Sequence, residues 1–194
     1  MGKIKVWSRQ DKRVVETLEK QGFYHCKPEY IENKMENFAD YYKKLYRWYV
    51  SRAERLVPRP DSSIQYPIWV SMDPEYQLLL VEDSVILEME VEENLVVVTD
   101  PEKWGYVVNF FYLPLNQEDL SKHDAELDRY GISNEAALTM SHEGNFYPQL
   151  KRKIQNSWER LFQDYTISNY RQGTLWEIRK EWIVDIRVGE PAND

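Results

Sequence analysis

The chain has 194 residues, of which 42% are hydrophobic and 30% are charged, and its formal net charge is −8. This length and composition are typical of one globular domain, and they exclude a disordered or fibrous chain. The single cysteine, Cys26, excludes an intramolecular disulfide and a cysteine-based zinc cluster.

The negative charge is concentrated in one region of the sequence. No lysine or arginine lies between Arg59 and Lys103, whereas the stretch 61–102 contains 11 Asp and Glu residues. Such a region repels a phosphate backbone, so nucleic acid is not expected as the main partner. It forms either a solvated sheet face or a surface that attracts a basic protein. The residues expected to make that contact are four glutamates: Glu88, Glu90, Glu92 and Glu93.

The termini and apolar runs indicate a cytoplasmic protein. The first 13 residues lack the apolar core of a signal peptide. The longest apolar runs are too short to span a bilayer, so no membrane association is expected.

The first third of the chain predicts one strand and two helices. Residues 4–7 alternate as in a strand, and a helix then begins near Asp11 and ends at Gly22. The stretch 32–56 predicts a long, aromatic-rich amphipathic helix, because apolar residues recur every three or four positions. That stripe comprises Met35, Phe38, Tyr42, Leu45, Tyr49, Ala53 and Leu56. The prolines and serines of 57–67 predict a loop.

The middle of the chain changes to the period of strands. Four strands are predicted, over 66–72, 76–82, 85–93 and 95–100. In the third, leucine, methionine and valine alternate with glutamate, which predicts one apolar and one acidic face. The run 95–98 does not alternate, so it is expected to be buried on both faces.

The last part mixes helices and strands. The stretch 104–113 predicts a helix packed on the sheet, 115–135 a surface helix or loop, and 147–162 a helix. One or two strands follow over 174–188, and 189–194 is expected to fray. The fold class is therefore α+β, with residues 1–188 forming a single domain around a mixed, mostly antiparallel sheet.

The familiar phosphate-binding, metal and nucleophile motifs are absent from the sequence. The candidate site residues are therefore the polar and aromatic residues at the ends of predicted elements, since sites commonly form where loops leave a rigid sheet. The ligand-binding candidates are Trp7, Trp69, Asp100, Trp104, Asn109, Gln172 and Trp176. The competing interpretation is structural, with the tryptophans in the core and Asp100 as the N-cap before Pro101. No metal site is expected from the three separated histidines.

Several of these stretches resemble a known family. The opening Trp7-Ser8-x-Gln10, Tyr-Pro-Ile-Trp at 66–69, and Asp100 followed by Trp104 and Asn109 are similar to the bacterial family called domain of unknown function 3841. The later matching motifs are Ser157-Trp158-Glu159-Arg160 and Gln172 with Trp176-Glu177. The resemblance covers residues 4 to about 188 and implies one intracellular domain. It departs from the family pattern at Gly105, where a histidine commonly follows the tryptophan.

Three functions remain open from the sequence. The first is a binding or regulatory protein, of a kind carried by mobile elements, whose acidic region 61–102 engages a basic surface of a partner such as a nucleic-acid enzyme. An inhibitor of the anti-CRISPR type is one version. The acidic residues and the many aromatics favour this function, because aromatics anchor interfaces and charge steers encounter.

The second is an enzyme that uses NAD or another nucleotide, with a site like that of ADP-ribosyltransferases. Arg9 or Gln10 would hold a phosphate or carboxamide, and Glu177 would stabilise positive charge developing on the ribose. NAD is expected as a cofactor only under this hypothesis. The third is an RNA-binding module built on Lys43, Lys44 and Arg47 of the long helix, with interleaved aromatic residues.

Overall fold

The computed structural model describes residues 2–28 and 39–189. The fold class is α+β, as predicted from the order of the elements. The chain divides into two compact units: the first comprises Met1–Val98 and Tyr170–Asp194, and the second comprises Thr99–Asn169.

The first unit is built on a six-stranded sheet. Its strands are β1 (Lys3–Asp11), β3 (Ile68–Ser71), β4 (Ser84–Glu92), β5 (Val97–Thr99), β6 (Gln172–Leu175) and β8 (Ile183–Val188). Their order in the sheet is β5-β6-β3-β1-β4-β8. Four neighbouring pairs are antiparallel: β1 with β3, β1 with β4, β3 with β6 and β4 with β8. A separate antiparallel pair joins β2 (Phe23–Tyr24) and β7 (Ile178–Arg179).

The two faces of the six-stranded sheet differ in chemistry. On the core face, Val6 and the β4 residues Leu87, Met89 and Val91 are fully buried in one apolar cluster. The alternate residues, including Lys5, Trp7 and Glu88, point to the other side, which we call the polar face. The predicted alternation of β4 between apolar and acidic residues is therefore confirmed.

Helix α1 (Arg13–Gln21) packs on the core face. Its side chains Val14 and Leu18 are buried in the same cluster as Val6. The helix ends at Gly22, where φ is +80° and the N–H donates to the Leu18 carbonyl at 2.9 Å. This left-handed cap is a conformation that glycine adopts without steric cost, so the predicted stop is confirmed.

Helix α2 (Ala39–Leu56) forms the long aromatic-rich helix. Of the predicted apolar stripe, Leu45, Tyr49 and Ala53 are buried, whereas Leu56 is exposed. The predicted first turns, 32–38, with Met35 and Phe38 of the stripe, lie outside the described residues.

Two of the predicted strands differ from the structure. Residues 77–82, predicted as part of a strand over 76–82, form no strand, and a short 3₁₀ turn, Pro74–Tyr76, precedes them. In the run predicted to be buried on both faces, Val98 is 38% exposed. Apolar runs without alternation carry no period that distinguishes a strand from a fixed loop. Gly189, predicted to begin the frayed tail, donates its N–H to the Ser84 carbonyl at 2.9 Å.

The second unit consists of helices joined by irregular segments. They include α3 (Pro101–Val108), α4 (Gln117–Tyr130), α5 (Ala137–Met140) and α6 (Pro148–Ser157), and a 3₁₀ helix, Trp158–Phe162, continues from α6. The helix predicted over 104–113 ends early, because Phe110 adopts a positive φ of 63°. The predicted 147–162 helix divides into α6 and the 3₁₀ turn.

Hydrogen bonds from the end of α6 hold the chain after α3. Trp158 Nε1 donates to the Phe111 carbonyl at 2.8 Å, and the Leu113 N–H donates to Ser157 Oγ at 2.8 Å. These contacts satisfy backbone groups that a longer helix would have paired internally. Among the described helices, none combines the length and apolar character needed to cross a bilayer.

Candidate functional site

Three predicted ligand-binding residues share the polar face of the sheet. Trp7 lies opposite Ser71, and Ser71 lies opposite Gln172. Trp69 is two residues before Ser71 on the same strand. Opposite residues on antiparallel strands, and residues two apart on one strand, point to the same side. The sheet therefore brings Trp7, Trp69 and Gln172 to one face.

The carboxylate of Glu88 holds Trp7 in place. Trp7 Nε1 donates to Glu88 Oε2 at 3.1 Å, and Lys5 Nζ donates to Glu88 Oε1 at 2.7 Å. These hydrogen bonds, that of Lys5 first, hold the pKa of Glu88 below its ordinary value. Both carboxylate oxygens accept a hydrogen bond, so Glu88 orients the indole of Trp7 and neutralises the charge of Lys5.

Helix α2 covers the other end of the polar face. The rings of Tyr49 and Trp69 are 5.3 Å apart, and the Tyr49 hydroxyl forms a 2.8 Å hydrogen bond with Thr174 Oγ1. Burial raises the pKa of Tyr49. The Gln172 Nε2 beside this packing is buried and has no hydrogen-bond partner among the described residues. These aromatic side chains therefore contribute to packing between helix and sheet.

Arg9 and Gln10 point to opposite faces of the sheet, because β1 continues through both of them to Asp11. Arg9 lies on the polar face and donates from Nη1 to the Leu79 carbonyl at 2.8 Å. Gln10 lies on the core face and donates from Nε2 to Ser8 Oγ at 2.7 Å. The two side chains do not converge on one ligand position.

Glu177 lies between β6 and β7 and is paired with two bases. Arg179 Nε donates to its Oε1 at 2.6 Å, and His25 Nε2 lies 3.2 Å from its Oε2. The hydrogen bond and charge of Glu177 raise the pKa of Arg179. The carboxylate therefore ties the β2–β7 pair together, since His25 follows β2 and Arg179 ends β7.

Trp176 fixes the chain that follows α2. Its Nε1 donates to the Val57 carbonyl at 2.7 Å, and its side chain is buried. This contact makes Trp176 a core residue of the first unit.

Asp100, Trp104 and Asn109 belong to the second unit, where two of them cap α3. Asp100 Oδ1 accepts from the N–H groups of Glu102 at 2.8 Å and Lys103 at 3.1 Å. Its Oδ2 accepts from two further backbone N–H groups, those of Ile167 and Ser168, at 2.6 and 2.8 Å. The Asp100 N-cap is therefore confirmed.

Asn109 closes the other end of α3. Its Nδ2 donates to the Gly105 carbonyl at 2.8 Å, and the backbone N–H of Asn109 bonds the same carbonyl at 3.2 Å. Trp104, on the helix between these caps, is half-buried.

Two of the four predicted partner-binding glutamates form ion pairs with β1. Glu88 pairs with Lys5 at 2.7 Å, and Glu90 lies 3.8 Å from Lys3. Glu92 and Glu93 form no ion pair with a residue that the structure describes. The acidic strand is therefore partly neutralised by its own neighbour.

The sequence did not identify an exposed apolar segment in the first unit. Residues 77–81, which we call the leucine segment, follow the Pro74–Tyr76 turn without regular structure. Leu78, Leu79, Leu80 and Val81 are 60, 82, 37 and 49% exposed. The four consecutive apolar residues were visible in the sequence, but they predicted a strand.

Polar contacts hold the leucine segment on the sheet. Arg9 binds the Leu79 carbonyl, and Arg187 of β8 donates to the Gln77 side chain. Ser84 Oγ accepts from the Val81 N–H at 3.0 Å and donates to the Val81 carbonyl at 2.6 Å. The backbone is thus fixed while the apolar side chains stay exposed.

The edge strand β8 adds a second exposed apolar region. Val184, Ile186 and Val188 are all exposed, and β8 pairs with β4 on one side only. Gly189, at its end, packs so closely that a Cβ there would lie 1.9 Å from the Val81 carbonyl oxygen. The leucine segment and the end of β8 are therefore neighbours.

Within residues 2–28 and 39–189, no group of three histidine, cysteine, aspartate or glutamate side chains is placed to hold a metal ion. Burial raises the pKa of the Cys26 thiol to about 11, so the nucleophilic thiolate is scarce at neutral pH.

The architecture is an α+β fold in which a mostly antiparallel sheet carries a fixed, exposed apolar segment. The chain belongs to the family described as "Domain of unknown function (DUF3841)", whose sequence pattern matches residues 5–184. No curated protein and no solved structure gives a significant match.

Proposed function

We propose that this protein is a binding protein whose region 61–102 docks on a basic and partly apolar surface of a partner protein. The observation that carries this proposal is the leucine segment, in which four consecutive apolar side chains are exposed. Exposed apolar patches are uncommon on monomeric proteins and mark interaction surfaces.

The leucine segment suits binding because its backbone is already ordered. Its contacts with Arg9, Arg187 and Ser84 fix its conformation before any partner arrives. A partner therefore loses little free energy to ordering this loop when it buries the leucines. Each Å² of apolar surface removed from water contributes about 25 cal/mol.

Acidic residues on both sides of the leucine segment support a basic partner. Asp73 and Glu75 precede the segment, and Glu82 and Asp83 follow it. Asp83 is paired with Lys12, whereas Glu75 and Glu82 are exposed and form no ion pair with a described residue. Uncompensated charge around an apolar centre accelerates encounter with a surface of opposite charge.

The ion pairs on β4 indicate which of the four glutamates contribute to binding a basic partner. Because Glu88 and Glu90 already pair with lysines, we expect Glu92 and Glu93 to contribute more to a partner's field. The basic surface of a nucleic-acid enzyme, as in an anti-CRISPR-type inhibitor, remains one version of the partner.

Affinity capture with matched variants tests the proposal. The wild-type protein, the double variant Leu79→Ser/Leu80→Ser and the control Phe146→Ser are each used as bait, and captured proteins are quantified by mass spectrometry. Phe146 is a suitable control because it is 79% exposed and lies in the second unit. The expected result is a partner retained by wild-type and Phe146→Ser and lost by the double variant. Identical recovery with all three baits would contradict the proposal.

RNA binding by α2 is a second candidate, favoured by a groove on that helix. The groove has a volume of about 520 Å³ and is lined by Lys43, Arg47 and Arg59 together with Tyr66 and four further residues. Arg59 is paired with Glu54 at 2.7 Å, which leaves Arg47 as the most exposed cation. We expect the wild-type protein to retain short RNA at low salt. This retention should be lost when Lys43, Lys44 and Arg47 are changed to alanine. Failure of the wild-type protein to retain RNA would exclude RNA binding as a function.

A further inference from the structure

A stripe of polar and basic side chains runs along one side of α6 and of the 3₁₀ helix that follows it in the second unit. Its members are spaced 3, 1, 3 and 4 residues apart, which places them on one side of a helical path. They are Gln149, Arg152, Lys153, Asn156 and Arg160. The other side of the same helix is apolar, with Leu150 and Ile154 buried.

This stripe lines a pocket of about 520 Å³, together with Tyr112 and Ser157. Pockets that bind small molecules commonly have volumes of about 300–1,000 Å³. The pocket is therefore large enough for an organic ligand, and it is lined mainly by hydrogen-bond donors.

Two of its three cations are held by carboxylates. Lys153 Nζ lies 2.6 Å from Glu126 Oε2, and Arg160 Nη1 lies 2.8 Å from Asp119 Oδ2. Arg160 Nη1 also donates to the Leu113 carbonyl at 2.6 Å. Both side chains are thus fixed in direction before a ligand binds.

The ring of Tyr112 supports the same two cations. Lys153 Nζ and the Arg160 guanidinium carbon each lie 5.0 Å from the ring centroid. The tyrosine is itself buried and stacked on His123, with ring centroids 4.2 Å apart. Cations placed over an aromatic face are stabilised by its quadrupole, so this wall of the pocket is rigid.

Arg152 differs from the other two cations. It is exposed and forms no hydrogen bond or ion pair with any residue in the described ranges. The side-chain amides of Gln149 and Asn156, one turn away on either side, likewise have no such partner there. The pocket therefore has one uncompensated positive charge flanked by two free amide groups.

We propose that this pocket binds a small molecule carrying a phosphate group. A guanidinium offers a planar pair of donors that matches two phosphate oxygens, and an ammonium and amide groups supply further donors. Arg152 makes the main contact with the phosphate. Lys153 and Arg160, whose charges are balanced by Glu126 and Asp119, contribute N–H donors that are already fixed in direction. The volume exceeds that of a phosphate ion, so the pocket can hold a phosphate ester up to the size of a nucleotide.

Calorimetric titration of the whole protein at low salt tests this inference. The probes are inorganic phosphate, ribose 5-phosphate, adenosine 5′-monophosphate and adenosine. The variant is Arg152→Gln, and the matched control is Arg129→Gln, which removes the same charge from an exposed position on α4. Both positions are exposed, so both variants are expected to keep the wild-type melting temperature.

The expected result is that at least one phosphate ester binds and adenosine does not. Arg152→Gln should weaken that binding about tenfold or more, as expected for a lost charge-assisted hydrogen bond, and Arg129→Gln should leave it unchanged. Tighter binding of adenosine 5′-monophosphate than of ribose 5-phosphate would identify a nucleotide, and equal binding would identify the phosphate and sugar as the recognised part.

Three results would overturn the inference. They are no binding of any phosphate probe at about 10 mM, equal weakening by Arg152→Gln and Arg129→Gln, and equal affinity for adenosine and its monophosphate. If Arg152→Gln lowers the melting temperature, Asn156→Ala replaces it, and unchanged affinity in that variant also counts against the site.

Discussion

Two irregular segments of this molecule are fixed by similar hydrogen bonds, but one exposes its apolar side chains to solvent and the other buries them. The leucine segment, 77–81 in the first unit, exposes its leucines and valine. The segment 110–114 in the second unit buries Phe110, Tyr112, Leu113 and Pro114. In both segments a serine hydroxyl bonds the backbone, Ser84 in one and Ser157 in the other. The polar contacts fix the backbone, and only the position of the core decides whether the side chains stabilise the fold or stay available to a partner.

The largest expected effect is loss of packing in the buried segment. Leu113 is fully buried, so Leu113→Ala removes transfer free energy and leaves a cavity. We expect the free energy of unfolding to fall by about 2–5 kcal/mol. Urea denaturation of the variant beside wild-type protein measures it. A loss smaller than about 1 kcal/mol would mean that the buried segment rearranges as freely as a surface loop.

The two serines give the next comparison. Ser157→Ala leaves the buried Leu113 N–H without its acceptor, so we expect a loss of about 1–3 kcal/mol. Ser84→Ala removes two bonds to Val81, but those lie nearer to water, which replaces part of the lost energy. We expect about 0.5–1.5 kcal/mol there. If Ser84→Ala proved the more damaging change in the same denaturation assay, the proposed contrast between the segments would be wrong.

Acidification should affect the buried segment through Asp119. Burial acts to raise the pKa of Asp119, but hydrogen bonds from the Leu115 N–H and the Tyr112 hydroxyl, with the charge of Arg160, outweigh it and lower that pKa. Because the folded-state pKa is the lower one, this stabilisation is fully present above the unfolded value of about 3.9. It is lost as the pH falls through the folded-state pKa.

The leucine segment gives the comparison, because its anchors are arginine, glutamine, serine and backbone groups and include no carboxylate. The measurement is the urea midpoint of wild-type protein and Asp119→Asn between pH 6 and pH 3. We expect a stability gap on the order of 1 kcal/mol at pH 6 that narrows as the pH falls. A gap of constant size would show that the carboxylate charge contributes nothing.

Both segments also show why sequence reasoning succeeded in some places and failed in others. The alternation of Leu87, Glu88 and Met89 predicted β4 correctly, because one face of that strand is in the core and the other is not. The runs at 77–81 and 110–113 have no such period. Their conformation depends on contacts with Arg9, Arg187 and Ser157, which lie far away in the chain.

The same limit applies to the candidate site residues. The sequence predicted a first strand ending at Trp7, so both Arg9 and Gln10 were expected to follow its end as alternative ligand contacts. The strand continues to Asp11, and its alternation sends the two side chains to opposite faces. Trp7 and Gln172 do share a face, but only the pairing of three strands reveals it. The N-cap at Asp100 was predictable because capping is local, with Pro101 next to it.

The smallest expected effect on stability comes from the leucine segment itself. Leu79 is 82% exposed, so Leu79→Ala creates no cavity and should change the free energy of unfolding by less than about 0.5 kcal/mol. The same substitution should nevertheless weaken capture of the partner, because Leu79 contributes its apolar surface only when the partner covers it. Urea denaturation and quantitative capture on the same preparation separate the two effects. A large loss of stability would show that Leu79 is part of the fold, and its exposure would then no longer support a binding surface. If neither stability nor capture changed, Leu79 would not contribute to the interface. The exposed apolar residues of β8 would then be the remaining candidates for the apolar part of the binding surface.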